Sequence, residues 1–302
     1  MRTPEPLAHP LEPKVWLSMT QAQLDWAYDQ ANHAPNRVEV LKNIALKSER
    51  SRSKVQQALR LSYGPSPIES LDWYPCGEAK APIVFFVHVG AWKSGTAKDN
   101  ALQVHWLHAM GCHVVIPDFD AVTEVKGDLS HLAAQVERAL LYTFKQAKNH
   151  LANPERIILV GHSSGAHLSA CMVTRNWAQQ GLEKNPIAAL LCCSGMYELE
   201  PVSLSARSQY VNFNPERVND LSPQRHIECF QMPVTLLCGD KESPEFIRQF
   251  ESFAHALTLS NTRVKTHLVK ANNHFEILET LFDEHSVHAM ALRDLVLQMR
   301  GV

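Results

Sequence analysis

The chain has 302 residues, 45% hydrophobic and 20% charged, which suits one large globular domain or two small ones. Its formal net charge of −2 argues against nucleic acid or an anionic membrane surface as a partner. The 16 histidines are scattered with no HxxxH or HExxH pair, which argues against a metal centre.

Residues 1–14 are proline-rich and read as extended. They contain no apolar core segment, so no secretory signal is read there, and no apolar run is long enough to span a membrane. The 7 cysteines are odd in number and sit mostly in apolar runs such as Leu190–Ser194 and Thr235–Gly239. Buried free thiols in a reducing compartment explain that better than a disulfide framework, and the expected location is the cytoplasm.

Thr20 reads as the N-cap of a short amphipathic helix, and a second, charged helix is expected from about Val38 to Ala58. Residues 1–60 thus form an N-terminal extension and helical arm, a candidate cap over a pocket. From Leu61 onward, short apolar runs alternate with helical stretches. The candidate strands are Ile83–His88, His113–Asp118, Ile157–Gly161, Ala188–Ser194, Val234–Gly239 and Thr266–Val269. Candidate helices lie near 98–110, 127–149, 165–180, 245–259 and 276–299. Strands that are apolar throughout are buried on both faces, so the expected fold is α/β, a doubly wound, mostly parallel sheet with helices on both faces. Residues 61–302 form the core domain, and about 198–227 is an inserted lid or loop without strong periodicity. Ligands of such sheets bind beyond the carboxyl ends of the strands, so the residues just after each strand matter most.

Four strand ends carry chemistry. His88-Val89-Gly90-Ala91-Trp92 is a sharp turn whose small residues let backbone N–H groups approach a developing oxyanion. Gly161-His162-Ser163-Ser164-Gly165 lies between an apolar strand and a good helix. G-x-S-x-G in that setting is a nucleophile elbow, because the glycines let strand and helix pass closely while the central hydroxyl is held out. Ser163 is then the nucleophile, and Ser164 offers its backbone N–H to the oxyanion hole. Gly239-Asp240-Lys241-Glu242-Ser243-Pro244 should hold the carboxylate that orients a histidine. Asp240 and Glu242 both qualify, with a slight preference for Glu242. Ser243 reads as an N-cap and Pro244 as the first residue of the next helix. His274 follows the last strand, where the general base is expected in the order Ser, acid, His.

These residues resemble the α/β-hydrolase superfamily, and within it the kynurenine formamidase (arylformamidase) and related carboxylesterase branch. The matching pieces are H88-V-G-A-W92, G161-H-S-S-G-A-H-L168, S243-P-E-F246 with R248-Q249, and N273-H-F-E276. V15-W-L, L24-D-W-A-Y28 and S194-G-M-Y-E-L199 extend the similarity over most of the chain. The resemblance implies an α/β-hydrolase fold and a serine hydrolase without metal or cofactor, cleaving an ester or an aryl amide or formamide through an acyl-enzyme. It places the nucleophile on Ser163, the base on His274 and the acid on Glu242, the residue before S-P-E-F. It assigns the oxyanion donors to Gly90 and Ala91, joined by Ser164. Two positions depart from the family pattern. Val89 replaces the first glycine of H-G-G-x-W, and Glu242 stands where the formamidases have Asp. Both departures point to an ester or amide other than N-formylkynurenine.

His88, Trp92, Tyr197 and Phe275 are the candidates to face an apolar or aryl substrate, although His88, like His162, also suits structural hydrogen bonding. His167 is expected to pack on the elbow helix. The expected partner is a small ester or amide, aromatic ones included, with no nucleic acid and no membrane; the resemblance admits a homodimer. The rival readings are a carboxylesterase, an aryl-amide or carbamate hydrolase, and a catalytically inactive binding protein of the same fold.

Overall fold

The sheet that carries the site is built on apolar strands, and its order follows from how they are connected. A computed structural model describes residues 2–7, 12–55, 57–283, 286 and 289–301. Residues 8–11 of the proline-rich segment and residues 284, 285, 287 and 288 of the expected last helix lie outside the described residues. In chain order the elements are α1 (Gln21–Tyr28), α2 (Arg37–Ser53), β1 (Leu59–Ser62), β2 (Ser70–Tyr74), β3 (Ala81–Val87), α3 (Val104–Ala109), β4 (His113–Pro117), α4 (Leu129–Gln146) and β5 (Ala152–His162). These are followed by α5 (Ser164–Val173), β6 (Ile187–Cys193), α6 (Glu200–Leu204), α7 (Pro215–Asp220), β7 (Val234–Gly239), α8 (Pro244–Leu259), β8 (Val264–Val269), α9 (Glu276–Leu281) and α10 (Ala289–Arg300). Among the described residues, no helix is long and apolar enough to cross a membrane.

The 8 strands form one sheet in the order β1-β2-β4-β3-β5-β6-β7-β8. β2 runs antiparallel to both neighbours, and β3 to β8 are parallel. The chain goes from β3 outward to β4 and returns to β5 on the other side of β3. That reversal leaves a crevice at the carboxyl ends of β3 and β5. The antiparallel pair β1 and β2 is absent from the sequence reading. β1 is short and largely exposed, and β2 alternates buried and half-buried positions rather than running apolar.

Neighbouring side chains of β3 enter different cores. Ile83, Phe85 and Val87 join Leu24 of α1, Leu132 of α4, Leu168 of α5 and Phe253 of α8 on one face. Val84 and Phe86 join Val40 of α2, Leu107 of α3, Ile277 of α9 and Leu292 of α10 on the other. Burial on both faces explains why the central strands β3, β4 and β6 read as apolar runs, whereas the edge strand β8 does not. The two arm helices therefore pack on opposite faces of the sheet.

Thr20 caps α1 with a reciprocal pair of bonds. Its hydroxyl accepts from the Gln23 N–H, and the Gln23 side chain accepts from the Thr20 N–H. The helix expected near 98–110 breaks because α2 takes its amides: Ser48 Oγ accepts from Ala101 N–H and Ser51 Oγ from His105 N–H. Residues 198–227 hold α6, α7 and single 3₁₀ turns, and α6, α7 and the turn at Pro223–Arg225 each open on a proline in the first turn. His167 Nε2 of α5 donates to Leu221 O and ties this segment to the core.

Candidate active site

β5 runs into α5 through Ser163, whose backbone sits at φ 57°, ψ −120°. A non-glycine residue there costs on the order of 1–3 kcal/mol and persists only where its surroundings enforce it. Here two glycines do so. A Cβ on Gly165 would lie 2.1 Å from Val87 O, and one on Gly161 would lie 2.4 Å from Gly165 O. The Ser163 N–H donates to Cys193 O of β6 at 2.9 Å, which fixes the turn from the neighbouring strand.

Ser163 Oγ lies 2.9 Å from His274 Nε2, and His274 Nδ1 lies 2.7 Å from Glu242 Oε2. All three residues are buried, yet Ser163 and His274 still border a cavity. Glu242 Oε1 accepts from Gly239 N–H at 2.8 Å and from Ser194 Oγ. Burial pushes the Glu242 carboxyl upward, but the charge and hydrogen bond of His274, with the Ser194 and Gly239 donors, outweigh it. The group is held below its ordinary value and stays ionised. Asp240 faces away; its Oδ1 accepts from Ala271 N–H at 2.8 Å. With its extra methylene Glu242 still reaches His274 Nδ1, and a Cβ on Gly239 would lie 2.2 Å from Asn272 O, so that glycine lets the end of β7 pack against the loop before His274.

His162 is fully buried, and its Nε2 donates to His274 O at 2.8 Å. Burial, reinforced by the neighbouring His274, holds its pKa well below the ordinary value, so it is a neutral ring that fixes the His274 main chain.

In the loop after β3 the positive φ angles fall on Gly90 (148°), Ala91 (53°) and Trp92 (62°), not on Val89. A Cβ on Gly90 would lie 1.7 Å from Ser94 O. The Gly90 carbonyl accepts from the N–H groups of Lys93 and Ser94, which closes the turn. Among the described residues, the Gly90 and Ala91 N–H groups have no acceptor, and Ser164 N–H is a first-turn helix amide. Gly90, Ala91, Ser163 and His274 border the same cavity.

Residues 71–257, well over half of the chain, match the BD-FAE family model. The chain belongs to the BD-FAE family. The match takes in Ser163 and Glu242 and stops short of His274. The chain is also similar to the kynurenine formamidase of Danio rerio, at 28% identity over 95% of this chain and 98% of that one. Its fold is shared with a candidate thioesterase from Silicibacter sp. TM1040 (TM-score 0.77, 21% identity, 90% of this chain and 99% of that one). It is likewise shared with esterase B from Lactobacillus rhamnosis (TM-score 0.70, 16% identity, 87% and 96% covered). This BD-FAE member is thus an α/β-hydrolase of the kynurenine formamidase and esterase branch, a hydrolase of the ester or amide type.

The cavity of this BD-FAE member has a volume of about 370 Å³. Leu41 and Ile44 of α2 form one apolar wall, Val89 and Phe275 another, and Gln30 and Arg207 supply polar groups. Phe275 therefore faces the cavity. His88, Trp92 and Tyr197 do not border it. His88 is buried, stacked on Phe119 at 4.2 Å, and its Nδ1 donates to Val89 O. Trp92 packs edge-on to His167 at 5.2 Å, and Tyr197 stacks on Phe253 at 4.2 Å. Two polar contributors were missed in the sequence. Ser194 comes just after β6 and follows the strand-end rule that located the others. Gln30 lies in a 3₁₀ turn of the arm, and no local pattern marks it.

Proposed function

We propose that Ser163, His274 and Glu242 act as the nucleophile, base and acid of a serine hydrolase that cleaves an aryl formamide or a small carboxylic ester. The observation that carries this reading is the unbroken hydrogen-bond chain from Ser163 Oγ through the His274 ring to Glu242 Oε2, opening on a cavity beside unpaired N–H groups. Ser163 Oγ attacks the carbonyl carbon as His274 Nε2 takes its proton. The N–H groups of Gly90, Ala91 and Ser164 hold the oxyanion; losing one such donor typically costs about 10²–10³ in rate. His274 returns the proton to the leaving amine or alcohol, and water releases the acyl group from Ser163.

The likeness to a kynurenine formamidase over almost the whole chain supports a formamide substrate. The two sequence departures do not stand against it, because Val89 carries no positive φ and Glu242 reaches His274 Nδ1 at 2.7 Å despite its extra methylene. Ester cleavage is the second reading, favoured by the apolar walls at Leu41, Ile44 and Val89.

A fluorophosphonate probe should label the wild-type protein and fail on Ser163→Ala. An unlabelled wild type sinks the serine-hydrolase reading. A panel of N-formylkynurenine, p-nitrophenyl esters of graded length and anilides then ranks formamide against ester by kcat/KM.

A further inference from the structure

Acyl transfer at Ser163 requires nothing from the arm, yet the arm grips both loops that supply the other two groups. α1 packs on one face of the sheet, through Leu24 and Tyr28, and α2 on the other, through Val40 and Ile44. The segment between them must cross the carboxyl edge of the sheet, over the site. Two of its side chains reach down as it crosses. Gln30 is buried, and its Nε2 donates to Glu242 Oε2 at 3.4 Å and to Ser243 Oγ at 3.3 Å. Its Oε1 accepts from Ser243 N–H at 3.4 Å. Asn36 Nδ2 donates to Glu276 Oε1 at 2.6 Å, and Asn36 Oδ1 accepts from Asn273 Nδ2 at 2.9 Å. Asn273 and Glu276 flank His274, and Glu276 Oε2 in turn accepts from Asn273 N–H at 2.9 Å. The two gripped loops are themselves joined, Lys241 N–H donating to Asn272 O.

We propose that the segment 29–37 is a positioning clamp, in which Gln30 sets the Glu242 loop and Asn36 the His274 loop. The proposal rests on the reading of Ser163, His274 and Glu242 given above. Gln30 and Asn36 are positioning residues, because neither touches the reacting atoms. Besides its bonds to Ser243, Gln30 donates to Oε2, the same oxygen that receives His274 Nδ1, so it holds the acid and its loop together. Its bonds are long and those of Asn36 are short, so Asn36 is the firmer grip.

The test compares Gln30→Met, which keeps the side-chain length, and Asn36→Ala with the wild type. Each should lower kcat about 5–20-fold with KM within about twofold. Tyr28→Phe serves as the stability control. It removes the buried hydroxyl that bonds Glu245 and Gln249, and it should lower the unfolding temperature while leaving kcat in place. If Asn36→Ala does not fold, Gln30→Met carries the test. Wild-type kcat in a folded Gln30→Met, or a loss that falls on KM instead of kcat, overturns the clamp. So does an equal loss of kcat in Tyr28→Phe. A wild type that no fluorophosphonate labels overturns the triad reading itself, a separate result.

Discussion

Glu242 Oε2 stands 2.7 Å from His274 Nδ1, while Asp240, nearer the strand end, turns its carboxylate to the Ala271 N–H. The two acids therefore respond differently to neutralisation. Glu242→Gln should lower kcat by about 10³–10⁴, the scale seen when a triad acid is neutralised, and Asp240→Asn should stay within about threefold. Steady-state kinetics on one ester decide it. The reverse pattern would place the acid on Asp240.

The elbow glycines permit a stability comparison. Gly165→Ala would drive a Cβ against Val87 O and should cost about 3 kcal/mol or more, or prevent folding. Gly181 has φ 81°, and a Cβ added there would meet nothing within 4 Å, so Gly181→Ala should cost only about 1 kcal/mol. Thermal unfolding of the pair reads the difference; equal costs would mean that strand and helix can separate at the elbow.

The loop after β3, proposed to supply oxyanion donors, divides in the same way. Gly90→Ala meets both a φ of 148° and the Ser94 carbonyl, and kcat should fall by about 10²–10³. Val89→Gly changes no position of positive φ and should keep kcat within about fivefold. A large loss on Val89→Gly would show that the valine side chain itself shapes the turn.

His167 makes folding sensitive to acid. Burial lowers its pKa to about 4, so the folded ring stays neutral where the unfolded one, near 6.5, already takes a proton. Stability contributed this way is intact above pH 6.5 and falls as the pH drops toward 4, by about 1.4 kcal/mol per pH unit. His167→Gln keeps a donor for Leu221 O without the titration. Between pH 7 and pH 5 it should lose about 2 kcal/mol less than the wild type by denaturant unfolding. Parallel losses would remove His167 as the sensitive group.

Features encoded locally were readable, and those set by distant packing were not. Ser163 is marked by two glycines, the first of which has its steric cause within the elbow itself, and β3, β5, β6 and β7 by apolar runs. The choice between Asp240 and Glu242 depends on the Ser194 hydroxyl just after β6 and on the Gly239 N–H at the end of β7, so local register left it open. Trp92 and Tyr197 sit close to the site in sequence, but rings on α5 and α8 draw them into the core. β1 and β2 lack the apolar run that marks a parallel strand. Gln30 meets Glu242 only because the arm crosses the sheet edge, an arrangement that no stretch of sequence near residue 30 encodes.

The separations along the chain bear on how the protein matures. His274 meets Ser163 across 111 residues, and Gln30 meets Glu242 across 212. Loop closures of that length come late in folding, after local helices and the central strands have formed. During refolding from denaturant, ellipticity should recover first and fluorophosphonate reactivity last. Reactivity is therefore a gauge of completed folding, and a partly folded chain, already rich in helix, holds its serine silent until the ends of the molecule have met.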